Sequence, residues 1–336
     1  MAINLRLVRN VFIAIAVIGL FVLYVLWRQW QIRGSIDDID WRTATVANDS
    51  GEEVTATWLG VTTLLFDDGD TQILLDGEFT RLSPMEIALL RPVKSDVATI
   101  NYALAAFRMD RLAAIVPVHS HFDHAMDVGQ VANRTSAVIF GSESTANVAR
   151  GANVPVSQYQ ILADGETRQF GAFTIKLIAS AHAPVGFNDH EYFSGIIDEP
   201  LVQPARVPDW KTGVAWSILI GHPRGTTLVQ GSAGYVKGKL SGEKADVVML
   251  SVAGLAGLGK EYTKVYWDQT VTATGANRVI AIHHDDFTAP FGEVKLLPIM
   301  LDNVVRTAGW LDEIVAEEGS EVAIELPPFG QRMVLY

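Results

Sequence analysis

LAAIVPVHSHFDH, residues 112–124, decides the reading of this chain: an apolar run, Leu112 to Val118, feeds directly into His119-Ser120-His121-Phe122-Asp123-His124. The run has the length and composition of a short buried strand, so three imidazoles and a carboxylate fall in the loop at a strand end. In an extended segment residues two apart point the same way. His119 and His121 can therefore bind one metal ion while Asp123 or His124 turns toward a second. A single histidine is ordinarily a satisfied core or surface residue. Four ligand-type side chains within six positions reverse that expectation.

The remaining histidines sort by setting. His182 and His283 each follow an apolar strand-like run, Phe173 to Ser180 and Val279 to Ile282, and so lie where a strand gives way to a loop. His284 adjoins His283. His190 sits in a polar loop and His222 in a Gly221-His222-Pro223 turn, and both read as structural or solvated. The chain has no cysteine, which excludes a disulfide framework and a thiolate metal site. Any ion must be held by nitrogen and oxygen donors, a set that suits zinc, iron or manganese.

Outward from the histidine cluster, Val54 to Leu59, Thr62 to Phe66 and Gln72 to Leu75 read as strands, the last two split by the turn Asp67-Asp68-Gly69-Asp70. Ser83 to Leu90 and Ser95 to Phe107 read as helices. Beyond the cluster, Ala172 to Ala179, Ala215 to Ile220, Thr226 to Gln230, Val247 to Leu250, Val279 to Ile282 and Glu321 to Glu325 are strand-like. Ser142 to Arg150, Tyr262 to Thr274 and, with breaks, Val294 to Glu318 are helical. This alternation predicts an α/β architecture of sheets covered by helices.

At the amino end every residue from Val11 to Trp27 is apolar, aromatic or glycine, flanked by Arg6 and Arg9 before and Arg28 and Arg33 after. The run is at the short end of a bilayer span. A cleaved signal peptide is the competing reading, but no small-x-small pattern follows, where Leu26, Trp27, Arg28, Gln29 and Trp30 stand instead. The expectation is an uncleaved single-pass anchor over residues 1–33, its amino end inside, with the body in the periplasm or outside the cell. Residues 34–53, polar and acidic, read as a linker or lead-in, and 54–336 as the catalytic domain. Of the net charge of −12, the four arginines of the leading segment leave −16 on the remainder. Such a body repels polyphosphate backbones, and no nucleic-acid partner is expected.

The cluster resembles the HxHxDH signature of the metallo-β-lactamase superfamily. "TWLGVTTLLFDDGDTQILLDGEFTRLSP" (Thr57 to Pro84) resembles that family's opening hairpin, "ASAHAP" carries His182, "VIAIHHDDF" carries His283, and the resemblance extends from about Val54 to the carboxyl end. It implies a four-layer αββα sandwich, preceded here by the single membrane helix. It also implies one metal on His119, His121 and His182 and a second on Asp123, His124 and His283, with Asp76 beneath the site holding an imidazole tautomer. The opening segment and "WSILIGHPRGTTLVQGSAGY" (Trp216 to Tyr235) are most similar to the branch of ascorbate-phosphate lactonases and the N-acyl phosphatidylethanolamine-hydrolysing phospholipase D. One departure stands out: where the family has a metal-bridging Asp, this chain reads Gly231-Ser232-Ala233-Gly234. A serine hydroxyl is a poor ligand beside a carboxylate, so a single tight ion or an exchangeable second one is expected, with Asp285 or Asp286 as the only nearby acids to compensate.

The expected activity is hydrolysis of an ester, lactone, amide or phosphodiester bond by a metal-activated water, with Zn2+, one or two ions, favoured over Mn2+ or Fe. Asp123 would orient the water and pass on a proton. The substrate is a small molecule or a lipid, and a membrane-lipid phosphodiesterase is the narrower form of the same idea. The alternative from another class is a metal-binding module that has lost turnover with the bridging Asp. The stretch from Ala183 to Lys211, with Phe187, Tyr192, Phe193 and Trp210, is either a substrate lid or an insertion.

Overall fold

The computed structural model describes residues 5–48, 53–186 and 191–336. Alternating apolar residues build two sheets that face each other. One has seven strands in the order Arg332–Val334, Thr55–Trp58, Leu64–Asp67, Gln72–Leu75, Leu112–Val116, Val138–Gly141 and Tyr159–Ile161. The other has eight, in the order Arg42–Thr43, Ala323–Leu326, Arg278–Ile282, Val247–Ser251, Gly225–Gln230, Ala215–His222, Phe173–Ser180 and Thr167–Phe170.

Period-two alternation decides which side chain goes to which layer. Ile73 and Leu75 of one sheet meet Val247, Met249 and Ile280 of the other in the central core, with Trp58, Phe66 and Trp216. Leu74, between them, points outward onto the helices Val97–Ala106 and Val128–Thr135 through Ile100, Ala103 and Val131. Val248 and Leu250 likewise turn out onto Tyr266, Trp267, Leu311 and Ile314 of the helices Lys260–Trp267 and Val304–Glu317. Helix, sheet, sheet and helix are thus stacked as the four layers expected.

Several elements differ from the sequence reading. Only Val304–Glu317 of the expected helix from Val294 to Glu318 is helical. Residues 294–302 instead follow an irregular course in which Leu296 pairs with Asp285 and Pro298 with Arg33, and Pro298 lacks the N–H a helix would need there. In Tyr262 to Thr274, the α-helix ends at Trp267 and Asp268–Thr272 forms a π-helical turn. Of the segment expected as linker or lead-in, 49–52 lie outside the described residues. Arg42–Thr43 adds a parallel edge strand beside Ala323–Leu326, and Trp41 donates its indole N–H to Asp312 at 2.7 Å.

The amino-terminal helix runs from Leu5 to Trp30. Its stretch Val8–Trp30, 23 residues, is long and apolar enough to cross a membrane, and none of it is buried against the body. At 1.5 Å per residue that stretch is about 34 Å, slightly more than a hydrocarbon core of about 30 Å.

Candidate metal centre

Strand direction assembles the site. Gln72–Leu75 and Leu112–Val116 are parallel. In the other sheet Phe173–Ser180 and Gly225–Gln230 are both antiparallel to Ala215–His222 and so share a direction, and Val247–Ser251 and Arg278–Ile282 run parallel to the latter. Asp76, His119, His182, Ser232 and His283 all follow carboxyl ends of these strands and gather on one rim of the sandwich.

There the side chains form two groups, His119 with His121 and His182, and Asp123 with His124 and His283, the ligand-type atoms within each lying within 4.8 Å of one another. The groups adjoin, since the rings of His119 and His124 are 4.0 Å apart. The motif is not extended throughout. His121 is the N-cap of a single helical turn, Phe122–Ala125. Phe122 is buried in an apolar cluster with Leu82, Met126 and Trp210, which turns the backbone and swings both Asp123 and His124 toward the second group.

Hydrogen bonds at the far side of the rings orient three of the imidazoles. The Thr212 hydroxyl donates its one proton to Glu191 at 2.9 Å, so it must accept from His121 Nε2, also at 2.9 Å. His121 Nδ1 then keeps its lone pair, and it faces His119 Nε2 at 3.0 Å. Two nitrogens bound to one tetrahedral zinc are about 3.3 Å apart, close to this spacing. His182 Nδ1 donates to Ala183 O at 2.8 Å, leaving Nε2 free. His124 Nδ1 lies 2.7 Å from Asp76 Oδ2, with the Thr62 hydroxyl bonded to the same carboxylate, and its Nε2 is 3.6 Å from Asp123. Such outer partners fix the tautomer of metal-binding histidines. Asp76 also accepts the Val118 N–H at 2.8 Å. It and His283 both adopt the left-handed backbone, φ 56° in each, a strained choice for residues other than glycine that aims them off their strands.

Electrostatics keep four of the five imidazoles in ligand form. Burial, reinforced by neighbouring imidazoles, holds His119 well below its ordinary pKa and His121 down at about 3. Burial lowers His182, and it takes His283 to about 4. For His124 burial pulls down, but Asp123 and Asp76 outweigh it and raise the pKa. Burial would raise Asp123, yet His124, His283 and His121 lower it overall, so the carboxylate is ionised. Asp76 is raised by its burial despite His124. His119 Nδ1 and His283 Nδ1 are buried with no hydrogen-bond partner among the described residues. Four imidazoles held neutral, with His124 between two carboxylates and Asp123 ionised, are a donor set that fits a divalent cation.

Ser232, where a bridging Asp was expected, is engaged behind His182. Its hydroxyl accepts the Ala183 N–H at 2.9 Å, and a Cβ on neighbouring Gly234 would press on the backbone of His182 at 2.4 Å, so this loop packs directly behind that histidine. Both acids expected to compensate have other partners. Asp285 accepts the Val61 N–H at 2.9 and 3.1 Å, and Asp286 is paired with Arg33 at 2.6 Å and held by Thr288. His284 stacks on Trp58 at 4.8 Å. His222 lies at the far end of its hairpin against Phe173, 3.6 Å from Asp68. His190 and Phe187 lie outside the described residues. Within Ala183 to Lys211, Trp210 is fully buried and Phe193 meets the edge of the His121 ring at 6.3 Å. Glu191 and Thr212, which set the His121 tautomer, were missed by sequence reasoning; nothing in their spacing marks them.

No family model matches the chain, and no curated protein is matched by sequence. Among solved structures it is similar to an isothiocyanate hydrolase from Delia radicum gut bacteria, at 18% identity over 84% of this chain and 99% of that one, with a TM-score of 0.50. It is similar to CmlA, a diiron β-hydroxylase from Streptomyces venezuelae, at 11% identity over 84% of this chain and 54% of that one, with a TM-score of 0.52. The metallo-β-lactamase fold protein YhfI from Bacillus subtilis aligns at 14% identity over 85% and 99%, with a TM-score of 0.48. These are likenesses of fold alone: the chain has an α/β fold similar to those of the isothiocyanate hydrolase and CmlA, with a histidine-rich candidate metal site.

Proposed function

We propose that this chain is a membrane-anchored, metal-dependent hydrolase, holding one ion on His119, His121 and His182 and a second on Asp123, His124 and His283. The observation that carries the reading is the pair of adjoining groups, in which burial keeps His119, His121, His182 and His283 neutral and outer partners orient His121, His124 and His182. Bound there, a divalent ion acidifies water and polarises the bond under attack, which opens ester, lactone, amide and phosphodiester substrates without a serine or cysteine nucleophile. Asp123, ionised and beside both groups, orients the attacking water and carries its proton to the leaving group. Asp76 holds His124, and Thr212 with Glu191 holds His121. Zinc is the favoured ion, with manganese or iron next; the likeness to a diiron protein keeps iron in view.

The sequence resemblance to the lactonase and phospholipase D branch, with the apolar helix, favours a small-molecule or lipid substrate met at a membrane surface, the domain of residues 54–336 facing the periplasm or exterior. A second reading is motivated by Ser232. With its hydroxyl engaged by Ala183 and with Asp285 and Asp286 committed elsewhere, no bridging carboxylate offsets a second divalent charge, as expected of a weakly loaded or inactive module.

Elemental analysis of the full chain in detergent, with ester, lactone and phosphodiester turnover, separates the two. The hydrolase reading expects turnover with two ions in the parent, or with one that rises to two in Ser232→Asp, and loss of both metal and turnover in His121→Ala. No metal under replete conditions and no turnover across the panel would leave the inactive module.

A further inference from the structure

The anchor does not hang from a free tether. Gln31 N–H bonds back to Trp27 O, closing the helix, and the next residues dock on the body: Ile32 O accepts the Ile299 N–H at 2.9 Å. Arg33 pairs with Pro298 across an antiparallel bridge and reaches Asp286 at 2.6 Å and Leu296 O at 2.7 Å. Residues 298–302 are therefore held within two or three residues of the end of the helix.

These residues form a turn, with the Leu301 and Asp302 N–H groups both donating to Pro298 O at 2.8 and 3.1 Å. At its tip stand three consecutive large apolar side chains, Ile299, Met300 and Leu301, 39%, 48% and 49% exposed, beside Ile32 at 49% and Val294 at 37%. Single exposed apolar residues need no explanation, but a contiguous set on a pinned turn does. The turn cannot fold its tip inward, since Pro298 is fixed to the anchor and Asp302 is buried, its carboxylate accepting the Gly254 N–H at 2.8 Å.

We propose that Ile299, Met300 and Leu301 form a wedge that enters the same bilayer the helix crosses. The inference depends on reading Leu5–Trp30 as a membrane span. The bilayer is the occupant because the wedge is hydrogen-bonded to the chain two residues beyond Trp30, an aromatic of the kind that sits at the headgroup level. Buried to the acyl boundary, the three side chains would give the body a second attachment and stop it from swivelling on its anchor. The wedge also bears on the metal centre, because Asp285 pairs with Leu296, and Asp286 N–H donates to Lys295 O at 2.7 Å. The loop that carries His283 is thus one hydrogen-bonded layer from the membrane-held segment, and the substrate class this favours is one delivered at the bilayer surface.

The chain has no cysteine, so single-cysteine labelling is clean. Full-length Met300→Cys, Val17→Cys and Tyr102→Cys, each carrying an environment-sensitive fluorophore, are reconstituted in phosphatidylcholine–phosphatidylglycerol vesicles with or without doxyl-labelled lipid. The expected result is loss of fluorescence to the doxyl lipid at Met300→Cys and Val17→Cys and none at Tyr102→Cys, which lies exposed on the helix Val97–Ala106, in the outer layer opposite that of Val304–Glu317. Quenching at Val17→Cys alone overturns the wedge while the anchor stands. Quenching at neither position overturns both. Self-quenching of Met300→Cys that is relieved by unlabelled chain, without response to doxyl lipid, would put a second copy on this face and likewise overturn the proposal.

Discussion

The histidine rim and the flank beside the amino-terminal helix bury polar side chains in different ways. On the rim, His119, His121, His124, His182 and His283 crowd together with lone pairs turned toward one another and two ring nitrogens unpartnered. On the flank, Arg33 closes on Asp286, Trp41 on Asp312, and Asp302 on the Gly254 N–H, each partner coming from far along the chain. Like groups gathered without mutual satisfaction are the pattern of a functional site, whereas matched donors and acceptors fix architecture. Substitutions on the rim should therefore cost metal and turnover more than folding, and those on the flank the reverse.

The largest effect is expected at Asp123→Ala, where turnover should fall by about 10²- to 10⁴-fold, the range for a lost acid–base group. Melting should change little, and if more than a tenth of the activity survived, the rim would lose its functional status. Next is Arg33→Ala, which strips the cation from an Asp286 side chain only 2% exposed. Denaturant unfolding should register a loss of about 2 kcal/mol with metal content unchanged; a drop in metal instead would mean that the two regions are one. Asp76→Asn keeps the shape but weakens the bond that orients His124. Competition with a chelator should show metal affinity reduced by about 10- to 100-fold.

The smallest effect concerns pH. Burial raises Asp302 from its ordinary 3.8 to about 6. The folded chain then binds more protons at this group than the unfolded chain does between those values, so this contribution to stability declines as pH rises from about 4 to about 6. Asp302→Asn should flatten that decline in thermal melts recorded across the window. An unchanged slope would remove Asp302 from the groups that tune the flank.

Much of the rim was legible in the sequence because its chemistry is local. His119 to His124 are contiguous, and His182 and His283 each follow a strand, so periodicity alone puts them at strand ends. Asp76 was placed by resemblance to the opening hairpin. The supporting polar residues were not legible: Thr212 reaches His121 across 91 positions of chain and Glu191 acts through Thr212, and a lone Glu or Thr in a loop carries no periodic signal. The flank was misread for a related reason. Val294 to Leu301 has the apolar content of a helix, but pairing with Arg33 and Asp285 offers its backbone better hydrogen bonds than a helix interrupted at Pro298.

The sequence by itself determined the donor inventory, the absence of thiolate, the alternation that stacks two sheets between helices, and an apolar segment of membrane-spanning length. Those are properties of composition and period, which act residue by residue. Only the tertiary structure decided that the candidate donors gather as two groups on one rim, that Ser232 faces Ala183, that Asp285 and Asp286 bond Val61 and Arg33, and that the turn at Met300 stands beside the end of the amino-terminal helix. Each depends on which partner wins a competition for one hydrogen bond or one charge, and that is settled by what folding brings within about 3 Å.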